Sequence, residues 1–99
     1  MDIIKKAEDG KLTVAISGRL DTFTAPQLEE ALEGALEGVK ELEFDLKDLE
    51  YISSAGLRVL LSNHKKMEAA EGCFAVSNLN EMVKEVFGLT GFDEILTIR

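Results

Sequence analysis

The 99-residue chain has one cysteine, one proline and one histidine. A lone cysteine cannot close an internal disulfide. Within Gly-Cys-Phe-Ala-Val, Cys73 reads as a small buried strand residue of a protein kept in a reducing compartment. Basic residues are scarce, 11 against 19 acids, for a formal charge of −8. That balance excludes a protein that tracks nucleic-acid phosphates and argues against one drawn to an anionic membrane surface. No run approaches the roughly 18 apolar residues of a membrane span, so no direct membrane insertion is expected. The opening Met-Asp-Ile-Ile-Lys-Lys lacks the long apolar core of a secretory signal, which implies a cytoplasmic location. No phosphate-cradling Gly-x-x-x-x-Gly-Lys-Ser/Thr or Gly-x-Gly-x-x-Gly occurs, and neither does the Gly-x-Ser-x-Gly elbow of hydrolases. One His, one Cys and mostly outward carboxylates offer no metal constellation, so no metal or other cofactor is expected.

What is present is an ordinary globular composition, 45% apolar, without repeats, linkers or low-complexity segments. It predicts one domain over residues 1–99. Nine of the acids fall between residues 25 and 50 and read as a solvated face. Ile3–Ala7, a turn at Gly10, and the alternating Leu12, Val14 and Ile16 predict a hairpin. Thr24 as cap, Pro26 in the first turn and Gln27 at the capping-box position open a helix. Leu28, Ala31, Leu32, Ala35 and Leu36 carry that helix toward a stop at Gly38. Leu42, Phe44 and Leu46 alternate with acids, the pattern of a strand wet on one face. A second helix opens at Ser53-Ser54, with Leu57, Leu60, Leu61, His64 and Met67 inward. A strand follows over 73–77, then a helix capped by Asn80 with Met82, Val83, Val86 and Phe87 inward, and a last strand over 95–98. The fold class is α/β, order ββαβαβαβ, with a small mixed sheet and helices mainly on one face. No apolar stripe is left over to demand a dimer, so a monomer is expected.

The informative segment is Tyr51-Ile52-Ser53-Ser54-Ala55-Gly56-Leu57-Arg58. Two hydroxyls stand at a strand-to-helix junction, where free N–H groups and the helix dipole favour negative charge. Either serine can serve as an N-cap; either can also carry a regulatory phosphate. Gly56 weakens a first turn by about 1 kcal/mol relative to Ala, which implies that something approaches the backbone closely. A nucleophilic serine is a poor reading, because His64, ten residues on, lies about 15 Å away along the helix. His64 itself reads as a packed residue ahead of a phosphocarrier. Asp21-Thr22, ending the hairpin's second strand, comes near Ser53-Ser54 if the strands are parallel. Asp21 there is either a turn residue or an acidic group that orders the serine or meets a partner.

Three pieces in order, Gly18-Arg19-Leu20-Asp21, Asp45-Leu46-Lys47-Asp48-Leu49 and Ile52-Ser53-Ser54-Ala55-Gly56-Leu57, make the chain resemble bacterial anti-sigma factor antagonists of the STAS type. The resemblance spans essentially the whole chain and implies a STAS-like fold. It further implies a protein that is not an enzyme but a protein-binding module in transcription regulation. Such a module sequesters an anti-sigma factor with serine kinase activity until that kinase phosphorylates it; a phosphoserine phosphatase resets the switch. The serine two before the motif glycine corresponds to Ser54. Many members have Asp before it where this chain has Ser53, which is the second choice as phosphoacceptor. The docking patch this implies is Asp21, Thr22, Ser53, Ser54, Gly56, Leu57 and Arg58. The same family also supplies accessory subunits of lipid or anion transport systems, and a nucleotide-sensing module is a further alternative.

Overall fold

Alternation decides which face of the sheet each residue joins. In a computed structural model describing residues 1–99, β1 (Asp2–Glu8) and β2 (Lys11–Leu20) form an antiparallel hairpin. β3 (Glu41–Asp45) lies parallel to the first half of β2. Next to it runs β5 (Cys73–Ser77), and β6 (Thr97–Ile98) closes the edge, giving the order β1-β2-β3-β5-β6. Leu12, Val14, Ile16, Leu42, Phe44, Phe74 and Val76 point to one side and are buried. Helices α1 (Ala25–Leu32), α2 (Ser54–Ala69) and α3 (Glu81–Thr90) add Leu28, Leu60, Met67, Val83 and Phe87 to the same apolar cluster. Each fully buried side chain of this size contributes roughly 1.5–3 kcal/mol. The opposite face is polar, as the acid-interleaved strand predicts. On it Lys11 and Arg99 both pair with Glu41 and Glu43, at 2.8–3.4 Å. Burial pushes the Glu43 carboxyl up, but hydrogen bonds from Ser77 and Arg99 and the Lys11 charge outweigh it and hold it low. Hydrogen bonds from Arg99 and Lys11 likewise lower Glu41.

The observed order, ββαββαβααβ, differs from the expected one by two short elements. β4 (Leu49–Ile52) continues the lane of β3 after a break at Leu46–Asp48, and pairs in parallel with the end of β2. Its buried residues are Leu49 and Ile52, three apart, so no alternation announces it. β2 changes partner at a bulge between Gly18 and Arg19. There Gly18 takes φ +88° and its N–H donates to the Asp48 carbonyl. The second addition, α4 (Phe92–Ile95), precedes β6, which begins at Thr97 rather than residue 95. Helix α1 ends at Leu32, well before Gly38; Glu33 is already extended, and Ala35 and Leu36 pack half-buried from the turns that follow. Cys73 is exposed, not buried: it begins β5 on the polar face, opposite Glu41. Asn80 caps α3 as expected, accepting from the Val83 N–H at 2.8 Å, and its amide donates to the Leu49 carbonyl. No helix is long and apolar enough to cross a membrane.

Candidate functional site

The carboxyl ends of β2 and β4 meet through the Ser53 N–H, which donates to the Leu20 carbonyl at 2.9 Å. This single bond brings the Asp21-Thr22 loop beside the start of α2, as parallel pairing requires. The two serines then part company. Ser53 holds the N-cap position with extended backbone, but its hydroxyl caps nothing; the Oγ is buried and has no hydrogen-bond partner. Ser54, the first residue of α2, is exposed. A phosphoryl donor can reach Ser54, whereas Ser53 would have to turn out of the interior first.

Gly56 explains why the junction is so close. A Cβ at this position would lie 2.8 Å from Ile52 Cγ1 and from Leu20 Cγ, and 3.0 Å from the Leu20 carbonyl oxygen. The group approaching this backbone is therefore the chain's own β2–β4 ladder, not a partner. Leu57 is 5% exposed and belongs to the core. Both residues are buried packing positions and not exposed members of the expected docking patch. Arg58, one position on, is exposed.

The loop from Arg19 to Thr24 is held from within. Asp21 Oδ1 accepts from the Phe23 and Thr24 N–H groups at 3.0 and 3.1 Å. Thr24 Oγ1 donates to the Arg19 carbonyl and accepts from the Asp21 N–H, both at 2.8 Å, so it looks back into the loop instead of capping α1. Burial pushes the Asp21 carboxyl up; the Thr24 and Phe23 N–H groups, the Thr24 hydroxyl and Arg19 together outweigh it and hold it below the usual range. Arg19 also stacks 4.3 Å over the Tyr51 ring, tying β2 to β4. Asp21 is thus a loop organiser whose acceptor capacity is largely used. What it presents is Thr22, exposed, and Phe23, a residue 88% exposed.

Phe23 escaped the sequence reading. Its signal was there: an aromatic residue in a polar loop, outside both the strand alternation before it and the helical stripe after it. Between α1 and α2 runs a groove lined by Thr22, Pro26, Glu29, Ala55, Arg58 and Ser62. His64 lies half-buried farther along α2, 3.6 Å from Glu68; the fully buried polar residue of that helix is Asn63, which the inward stripe omitted.

A mixed sheet open on one face, with a serine exposed at a strand-to-helix junction beside an ordered loop, defines a small α/β class. The STAS-domain model matches residues 2–99, and the chain belongs to that family. It is 32% identical over 93 residues to the anti-sigma-B factor antagonist of Bacillus subtilis, spanning 94% of this chain and 85% of that protein. An anti-sigma factor antagonist from Mycobacterium paratuberculosis, 28% identical, matches with a TM-score of 0.86 over 98% of this chain and 83% of its own. The anti-sigma factor antagonist SpoIIAA shares the fold in its unphosphorylated form, at TM-score 0.85 and 18% identity over 99% of this chain and 88% of its own. Its phosphorylated form does so at TM-score 0.77 and 17% identity, over 99% and 91%.

Proposed function

We propose that this chain is an anti-sigma factor antagonist, a cytoplasmic protein-binding module switched by phosphorylation of Ser54. Unmodified, it holds an anti-sigma factor that is also a serine kinase. In the kinase reaction Ser54 Oγ bonds to the γ-phosphorus of ATP, ADP leaves, and the hydroxyl proton passes to a base on the kinase. The modified chain dissociates, and a phosphoserine phosphatase removes the phosphate. The chain is a substrate in this cycle, not an enzyme, and acts as a monomer.

The observation that carries the reading is the opposite placement of the two serines: Ser54 exposed at the head of α2, the Ser53 hydroxyl buried. The docking face is accordingly Thr22, Phe23, Ser54 and Arg58, with Asp21, Ser53, Gly56 and Leu57 beneath or beside it. A phosphate adds about −1.5 to −2 charges at its centre. A 100-fold loss of affinity requires about 2.7 kcal/mol, within reach of one misplaced, partly desolvated dianion. Because Ser54 is already exposed, the core does not have to rearrange.

The test is site mapping after incubation with the native cell's serine kinase and ATP, with Ser54→Ala and Ser54→Asp alongside. Phosphate on Ser54, tight binding by Ser54→Ala and weak binding by Ser54→Asp are expected. An unmodified chain that instead co-purifies with transporter subunits would replace this reading with the accessory-subunit one.

A further inference from the structure

Arg58 stands four residues after Ser54 on α2, both side chains are exposed, and residues so spaced share one helix face. Helical side chains lean toward the N-terminus, so a long side chain at position 58 can reach back over the turn that carries Ser54. Arg58 takes part in none of the ion pairs of the structure, although Glu29 of α1 lines the same groove. A guanidinium without a carboxylate partner, beside a phosphoacceptor, in a chain of net charge −8, is an unspent binding group.

We propose that Arg58 is the switch cation of this surface: phosphate on Ser54 forms an intramolecular ion pair with Arg58 and so withdraws it from the partner. The proposal rests on the reading of Ser54 given above and assigns its means of regulation. In the unmodified chain Arg58 is free to meet a carboxylate on the partner. Phosphorylation satisfies the guanidinium from within, through charge-assisted hydrogen bonds. It also changes the local charge of the Ser54–Arg58 pair from +1 to roughly −1, so the partner's carboxylate loses its cation and faces an anion. The partner that fits is therefore acidic where it covers Arg58.

The test uses the full chain with phosphoserine installed at position 54 during translation, so that no kinase is needed. Phosphorus NMR across pH 4–8 reads the second ionisation of the phosphate. The ion pair holds it lower in the native background than in Arg58→Gln, by about half a unit, whereas Lys65→Gln leaves it unchanged. An ionisation that is the same with and without Arg58 overturns the pair. Affinity for the kinase partner gives the second readout. Unmodified Arg58→Gln is expected to bind about 10-fold more weakly, and phosphate on Ser54 to cost it far less than it costs the native chain. An equal phosphate penalty in both backgrounds overturns the role of Arg58 in release. Failure of the kinase to modify Ser54 would instead overturn the proposed function, while the phosphorus spectrum still reports the pair.

Discussion

Replacing Gly56 by alanine tests the reasoning about the junction, because two known effects oppose each other there. Alanine in a helix interior is favoured over glycine by about 1 kcal/mol. Against this, the new Cβ would meet Ile52 Cγ1 and Leu20 Cγ at 2.8 Å and the Leu20 carbonyl oxygen at 3.0 Å. None of these is the free end of a flexible side chain: Leu20 Cγ is a branch atom in a fully buried residue, and the Leu20 oxygen is held by the Ser53 N–H. Overpacking of this kind costs typically 1–3 kcal/mol, and here it cannot be relieved without moving α2 away from β2. With the clash unrelieved, the cost sits toward the upper end, about 2–3 kcal/mol, and after the gain of about 1 kcal/mol the expected net effect is a destabilisation of about 1–2 kcal/mol. Urea unfolding followed by circular dichroism reads it directly. With an m-value near 1 kcal/mol/M, ordinary for a small domain, the midpoint falls by about 1–2 M. The same displacement moves Ser54 relative to Phe23, so phosphorylation by the partner kinase should slow as well. A midpoint that stays in place or rises would refute the claim that Gly56 serves close packing.

Three further outcomes follow from the same geometry. Ser53→Ala should be neutral or stabilising by up to about 1 kcal/mol in the urea assay, the reverse of an ordinary N-cap deletion, because the hydroxyl makes no bond to lose. Phe23→Ala should leave the urea midpoint within about 0.5 kcal/mol of native, since the ring is exposed, yet weaken partner binding at least about 10-fold in titration calorimetry. Asp21, Glu41 and Glu43 all titrate below their usual values in the fold. Their stabilisation is complete above the unfolded carboxylate range, about pH 4, and is lost as pH falls through the lower folded values. Thermal unfolding from pH 7 to pH 2 should show this loss, and Glu43→Gln should flatten it.

Periodicity made the fold legible wherever a segment was buried on one side. The alternation of Leu12–Val14–Ile16 and Leu42–Phe44, the stripe of α3 and the Asn80 cap all stand in the structure as the pattern implies. β4 was not legible because it buries residues three apart, and Cys73 misled because its apolar neighbours hide that it starts a strand on the polar face. The end of α1 depended on where the chain leaves the helix, which the apolar spacing through Leu36 does not register. For the candidate site, residue type marked the segments that meet at the head of α2 but not which way each side chain turns. Ser53 and Ser54 are the same residue type, yet the Ser53 hydroxyl is buried while Ser54 is exposed. Gly56 was rightly singled out for a close approach, but the approaching group is Leu20, brought there by long-range pairing that no local pattern encodes.

The central claim is that phosphate on Ser54 releases a partner from the face that Phe23 and Arg58 share. Titration calorimetry of the unmodified chain and of the chain carrying phosphoserine at position 54, each against the anti-sigma kinase of the native cell, measures it most directly. The account predicts tight binding by the first and at least a 100-fold weaker complex with the second, about 2.7 kcal/mol. Equal affinity of the two forms would contradict it.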